Sequence, residues 1–193
     1  MSEYPTVPTE DAVKEVLRQF GIPVDRWGKG SAKTVASLLN EIKVGETTLT
    51  EDGRELLRRT GFVALTVTYQ GENGEQELYE KEQVFRDGRR RARSMDWSAS
   101  EKLLREENPE AAVNRLLDEE LSEIAAGIEK IKSTGETQEI KESPSYPGLK
   151  TEFTRYSFNG ELGDSLFRPE GYILQEPDKT THFAWRAKNQ NYR

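Results

Sequence analysis

Cysteine does not occur in the 193 residues, so disulfides, thiolate metal ligands and cysteine nucleophiles are excluded together. Histidine occurs once, as His182 in THFAWR near Trp185. No nucleophile signature accompanies it, so no Ser-His-Asp set can be assembled and His182 reads as structural. Positive charge is the minority sign: 28 Lys and Arg stand against 35 Asp and Glu, a net charge of -7. Bulk attraction to DNA, RNA or an anionic membrane needs clustered cations, and this balance argues against all three. No stretch nears the roughly 20 apolar residues that a membrane span requires. The opening MSEYPTVPTEDAVKE is acidic where a signal peptide has a basic region, and the lack of cysteine suits a reducing compartment, so a cytoplasmic location is expected.

What the chain does have is enough length for a sizeable core, in one domain or in one domain with an extension. Residues 2–9 read as an extended arm. From Thr9, the apolar residues Ala12, Val13, Val16, Leu17 and Phe20 recur at helical spacing until Gly21 and Pro23 end the pattern. A second helix is expected after Ser31 as its N-cap, with Val35, Leu38, Leu39 and Ile42 as its stripe and Gly45 closing it. These two helices define an N-terminal helical extension, residues 1–58, whose apolar stripes are too large to stay wet, so it is expected to pack on the main domain, residues 59–193.

At Gly61 the period changes to two. Val63, Leu65, Val67 and Tyr69 alternate with smaller or polar residues, Asn73-Gly74 is a hairpin signal, and ELYEKEQVF (77–85) returns as the partner strand. A turn at Asp87-Gly88 leads into RRRARSM, read as a third strand. GIEKIKSTGETQEIKESPSYPG reads as an irregular linker. Strand character resumes at 150–159, and GYILQ and THFAWR form a closing hairpin across EPDKT.

The segment EENPEAAVNRLLDEEL (106–121) carries the candidate chemistry. Asn108 suits an N-cap, Pro109 the first helical position and Glu110 the positive end of the helix, so a helix is expected from 108 to about 125. Ala112, Leu116, Leu117 and Leu121 form its apolar stripe, with Asp118, Glu119 and Glu120 at the border. Two readings compete. The acids form a metal-binding cluster, or they are the solvated face of an ordinary amphipathic helix on which Arg115 pairs with Glu119 at i+4.

Residues 101–123 can be laid without a gap on the box of the Nudix hydrolase superfamily, GX5EX7REUXEEXGU. Glu107 falls on the first glutamate, Arg115 on the arginine, Leu117 on the aliphatic position, and Glu119 and Glu120 on the paired glutamates. The departures are Glu101 and Ser122 for the two glycines, Leu116 for the glutamate after the arginine, and Glu123 for the last aliphatic residue. The chain thus resembles the superfamily through a degenerate box. The flanking strands and YPGLKTEFTRYSF, with its PG loop, are similar in order to a Nudix domain.

The resemblance implies an α/β fold, a Nudix-like α/β/α sandwich with a mixed sheet after the helical extension. It also implies magnesium held by helical carboxylates one turn apart, where the ion polarises a diphosphate and helps generate the attacking water. In this chain the carboxylate set is reduced to Glu119 and Glu120, the implied catalytic and metal-binding pair, because Leu116 cannot bind magnesium. Glu107 and Arg115 are the implied supports of loop and helix. In RRRAR (89–93), alternation places Arg89, Arg91 and Arg93 on one strand face and Arg90 on the other. The run reads either as a solvated edge or as a clamp for substrate phosphates. WGKGSAKT (27–34) lacks the spacing of a phosphate-binding P-loop. The expected function is a Nudix-like module that has lost efficient catalysis and binds a nucleotide or a protein. The alternative is a magnesium-dependent hydrolase of a nucleoside diphosphate linked to another moiety.

Overall fold

In the computed structural model, residues 9–72, 74–92 and 95–188 are described. The first helix, α1 (Glu10–Gln19), starts where Thr9 Oγ1 accepts the Ala12 N–H at 3.2 Å, and it buries Val13 and Leu17. It stops at Gly21, whose φ of +70° lets the Gly21 and Ile22 N–H groups close back on Arg18 O and Leu17 O. The second, α2 (Val35–Lys43), is capped by Thr34 and not by Ser31. Two backbone bonds explain the difference. Gly28 N–H donates to Lys33 O and Lys33 N–H donates to Ser145 O, which hold residues 28–33 in a turn and delay the helix.

The strands are β1 (Thr48–Asp52), β2 (Glu55–Gly71), β3 (Gly74–Phe85), β4 (Arg90–Arg91) and β5 (Ala99–Lys102). Helix α3 (Pro109–Glu120) follows, then β6 (Ile128–Ser143), β7 (Tyr146–Leu162), β8 (Tyr172–Gln175) and β9 (Lys179–Ala187). They form a nine-stranded sheet in the order β6-β7-β2-β3-β9-β8, with β1 and β5 added to β2 and β4 to β3. With three α-helices among the described residues, this is an α/β protein. The pairings β1 with β2, β2 with β3, β3 with β4 and with β9, and β8 with β9 are antiparallel.

Two strands lie where the residues carry no strand signal. The β1–β2 hairpin falls within the stretch read as helical extension, and its turn signal is Asp52-Gly53, with Gly53 at φ +63°. Residues 128–143, read as an irregular linker, are a 16-residue strand. That strand stands at the end of the sheet order and is exposed along almost all its length, so neither face imposes an apolar period. The hairpin turn expected at Asn73-Gly74 joins β2 to β3 with Gly71 opposite Gly74, and Asn73 itself lies outside the described residues. The strand expected from RRRARSM is the two-residue β4, and Arg93 also lies outside the described residues.

The chain divides into two compact units. One comprises residues up to Phe62, Lys102–Asn108 and Glu136–Arg155; the other comprises Val63–Glu101, Pro109–Gly135 and the residues from Tyr156 on. In the first, α1 and α2 share a core with Leu49, Leu56, Tyr146 and Leu149 of the strands. Trp27 seals it, with its ring 5.0 Å from that of Tyr146 and its Nε1–H donating to Pro147 O at 2.9 Å. Near the start of β7, Gly148 must be glycine: φ is +82°, and a Cβ there would overlap the Pro23 ring.

Under this core sits a buried ion cluster. The Glu41 carboxylate, on α2, takes Lys33 Nζ at 2.6 Å, Arg58 Nη2 at 2.7 Å and Lys102 Nζ at 3.1 Å. Arg58, equally buried, lies with its guanidinium carbon 5.2 Å from the centre of the Tyr146 ring. Burial alone would push the Glu41 carboxyl up, but the bond from Lys33 and the charges of Arg58 and Lys102 outweigh it and bring it down to about 2. Burial, and then the Glu41 charge, push the Tyr146 phenol up.

Two outcomes follow for stability. Gly148→Ala should lower the melting temperature, because the left-handed backbone costs an L-residue about 1–2 kcal/mol before the overlap with Pro23 is counted; an unchanged melt would contradict the close approach of Gly148 to Pro23. Because the Glu41 carboxyl is depressed from 4.5 to about 2, its contribution is complete above pH 4.5 and is lost as pH falls toward 2. Glu41→Gln leaves Arg58 buried without its anion and should cost about 3–5 kcal/mol at neutral pH. Denaturant unfolding from pH 7 to pH 2 should show that difference shrinking as acid is added, and a pH-independent difference would refute the assignment.

Candidate functional site

Helix α3 belongs to the second unit. Its stripe is fully inside: Ala112, Val113, Leu116, Leu117 and Leu121 are buried, and Leu116 has 0% exposure. The 3.6-residue repeat then fixes where the acids go. Glu119 points outward at 57% side-chain exposure, with Arg115 Nη1 3.6 Å away at the i,i+4 spacing read from the sequence. Arg115 also meets Glu101, at the end of β5, at 3.4 Å.

Glu120 is held in a more enclosed place, at 21% side-chain exposure. Lys179, at the start of β9, lies with Nζ 3.6 Å from Glu120 Oε1 and 2.7 Å from Glu176 Oε2. The Thr181 hydroxyl, itself buried, donates at 2.8 Å to the other oxygen of Glu176. Burial pushes the Glu120 carboxyl up, Lys179 pulls it down, and the charges of Glu176 and Glu101 push it up again, so it ends above the ordinary range. For Lys179, burial lowers the ammonium pKa, but the Glu176 bond and the charges around it overcome that and raise it.

Magnesium calls for oxygen donors around one point. In this helix, the position one turn before Glu119 and Glu120 is a core leucine, Glu119 turns to Arg115, and Glu120 turns to Lys179. The arrangement does not fit a three-carboxylate magnesium centre. Among the described residues, no group of three Asp, Glu or His side chains is placed to hold a metal ion.

Glu107 closes the loop that precedes α3 in the chain. Its carboxylate accepts the Leu104 N–H at 2.9 Å, its own N–H donates to Leu104 O, and Glu106 between them has φ +62°. The arginine run sits on the Phe85–Arg89 hairpin. The guanidinium carbons of Arg89 and Arg91 lie 5.2 and 5.4 Å from the centre of the Phe85 ring, and Arg90 Nε lies 3.4 Å from Glu82. Arg89 donates to Asp87 at 2.7 Å, and the backbone and side-chain bonds from Arg89 hold the Asp87 carboxyl below its usual range. Arg91 donates to the buried Gln83, whose amide nitrogen donates to Glu80 at 3.0 Å.

Sequence reading missed Lys179 and Glu176 as neighbours of Glu120, and Gln83 and Glu80 as the polar chain that Arg91 joins. A signal existed for Glu80: it follows Leu78 by two residues, on the strand face that goes inside, where a charged residue is unusual. Lys33, in the glycine-rich stretch 27–34, is engaged with Glu41. His182 stands mid-strand in β9, opposite Ile173 and Glu82.

The burial of Leu116 generates a test. Leu116→Glu places a carboxylate in the core, where it is desolvated and either costs several kcal/mol or stays protonated. Thermal melting should show a large loss that millimolar magnesium does not recover; stabilisation of the variant by magnesium, absent from wild type, would show instead that the leucine side of the helix faces a usable ion site. Compared with protein-family models, the chain matches none, and no curated protein matches it.

Proposed function

We propose that the chain is a Nudix-like module, an α/β/α sandwich preceded by a helical extension, that has lost efficient turnover and works in the cytoplasm as a binding or interaction domain. The ligand class that suits it is a nucleoside diphosphate derivative, with Arg89 and Arg91 meeting the phosphates. The observation that carries this reading is the complete burial of Leu116 at the box position where hydrolases of the superfamily have a glutamate. The spacing of Glu107, Arg115, Glu119 and Glu120 supports the box, and the separate ion pairs of Glu119 and Glu120 support its loss of efficient magnesium chemistry. Arg89 and Arg91 are well placed for a phosphate because their guanidinium groups flank one aromatic ring at the tip of an exposed hairpin.

The test is calorimetric titration with magnesium and then with ADP-ribose, alongside chromatography for released products. Binding of ADP-ribose without product, weakened by Arg89→Ala, is the expected result. Efficient magnesium-dependent turnover would overturn the reading in favour of the hydrolase. Absence of any nucleotide binding would leave protein interaction as the role of the module.

A further inference from the structure

We propose that the Lys179 ammonium is the resident counter-cation of the carboxylates gathered at the end of α3, taking the electrostatic place of a divalent ion and closing Glu120 and Glu176 to one. The inference rests on the reading that the box no longer works with a catalytic metal. It adds the device that keeps the metal out.

The geometry is specific. Lys179 Nζ stands 2.7 Å from one oxygen of Glu176 and 3.6 Å from one of Glu120, and all three side chains are largely withdrawn from water. The second oxygen of Glu176 is fixed by the Thr181 hydroxyl at 2.8 Å, so this carboxylate is oriented and not merely nearby. Lys179 and Glu176 flank one tight turn, where Glu176 N–H donates to Lys179 O at 2.8 Å, so the ammonium is delivered by the closing hairpin β8–β9. A third carboxylate, Glu101, adds negative potential at Glu120 and is partnered by Arg115 at 3.4 Å. Four acids, Glu101, Glu119, Glu120 and Glu176, are thus met by two basic side chains, Arg115 and Lys179.

An ammonium is a compact point charge with three donors, and a hard divalent ion satisfies the same oxygens with more charge and no tether. Removing the ammonium should therefore leave Glu120 and Glu176 in mutual repulsion with oxygens available to a cation. The probe is Mn2+, followed through the electron paramagnetic resonance of the free ion, on the full chain as wild type, Lys179→Met and Lys179→Arg. Lys179→Met should bind Mn2+ at least about tenfold more tightly than wild type, and Lys179→Arg should match wild type. At Mn2+ about a hundredfold above its Kd, the melting temperature of Lys179→Met should rise by on the order of 5–10 °C. Adding Glu176→Gln to Lys179→Met should remove the gain.

Equal Mn2+ affinity in wild type and Lys179→Met overturns the inference, as does a gain that survives Glu176→Gln. If Lys179→Met does not fold without metal, refolding yield with and without Mn2+ decides the same question: recovery with the ion supports the inference, and no recovery overturns it. Turnover of ADP-ribose by the wild type would instead overturn the proposed function, so the two failures are read from different experiments.

Discussion

A carboxylate drawn out of water must be met by cations, and Glu41 is met by three. Taking an ion below the surface costs several kcal/mol even after the protein relaxes. A unit charge about 4 Å away returns about 4 kcal/mol at an effective dielectric constant of about 20. One partner roughly balances the cost, whereas Lys33, Arg58 and Lys102 together exceed it, which is why the carboxyl ends well below its usual range. The cluster joins elements distant in sequence: Glu41 lies on α2, Arg58 on β2 and Lys102 at the end of β5. Glu41 and Arg58 are its buried members, so parting α2 from β2 would leave a buried charge unpaired, and the cluster fixes how α2 sits on β2.

The same arithmetic reverses at Glu120. Among the described residues its close cation is Lys179, farther away at 3.6 Å and shared with Glu176, which holds it at 2.7 Å. Desolvation therefore wins there, and the carboxyl moves up where Glu41 moves down. The contrast has a chemical consequence. A depressed, triply paired carboxylate is a structural anion with no capacity left for a ligand, whereas Glu120 and Glu176 depend on one shared ammonium.

The sequence made the parts with a strong period legible. Helix α3 begins at Pro109, as the Asn108-Pro109 start signal implies, but ends at Glu120 and not near 125. Val63, Leu65 and Val67 are buried on β2 as the period of two implies, yet Ala64 and Thr68 between them are buried as well and Tyr69 is half-buried, so both faces of that strand are covered. The 128–143 strand was illegible because an exposed strand has no buried face to print a period of two. Ser31 was a plausible cap until Lys33 bonded to Ser145, more than a hundred residues away, a contact that no local rule contains. At the site, the i,i+4 pair of Arg115 and Glu119 could be read directly, since helix geometry alone brings them together. Lys179 could not, because its meeting with Glu120 depends on which strands neighbour α3 after folding.

On the proposed Nudix-like reading, the same limit explains how a spaced motif persists while its chemistry lapses. Spacing fixes which residues share a helical face, and here Leu116, Glu119 and Glu120 lie within one turn of each other as the box requires. It does not fix which way that face turns. Leu116 lies with Ala112, Val113, Leu117 and Leu121 in a continuous buried stripe, so the helix is seated by the position that the proposed box would give to a carboxylate. Lys179 then neutralises one of the two acids that remain and Arg115 meets the other. Two independent features therefore separate this helix from a three-carboxylate centre, one in the core and one in the charge balance. Reversing either alone leaves the other in force: a glutamate at 116 without a cavity to open it to water stays neutral or unfolds the helix, and loss of the ammonium at 179 frees only two carboxylates.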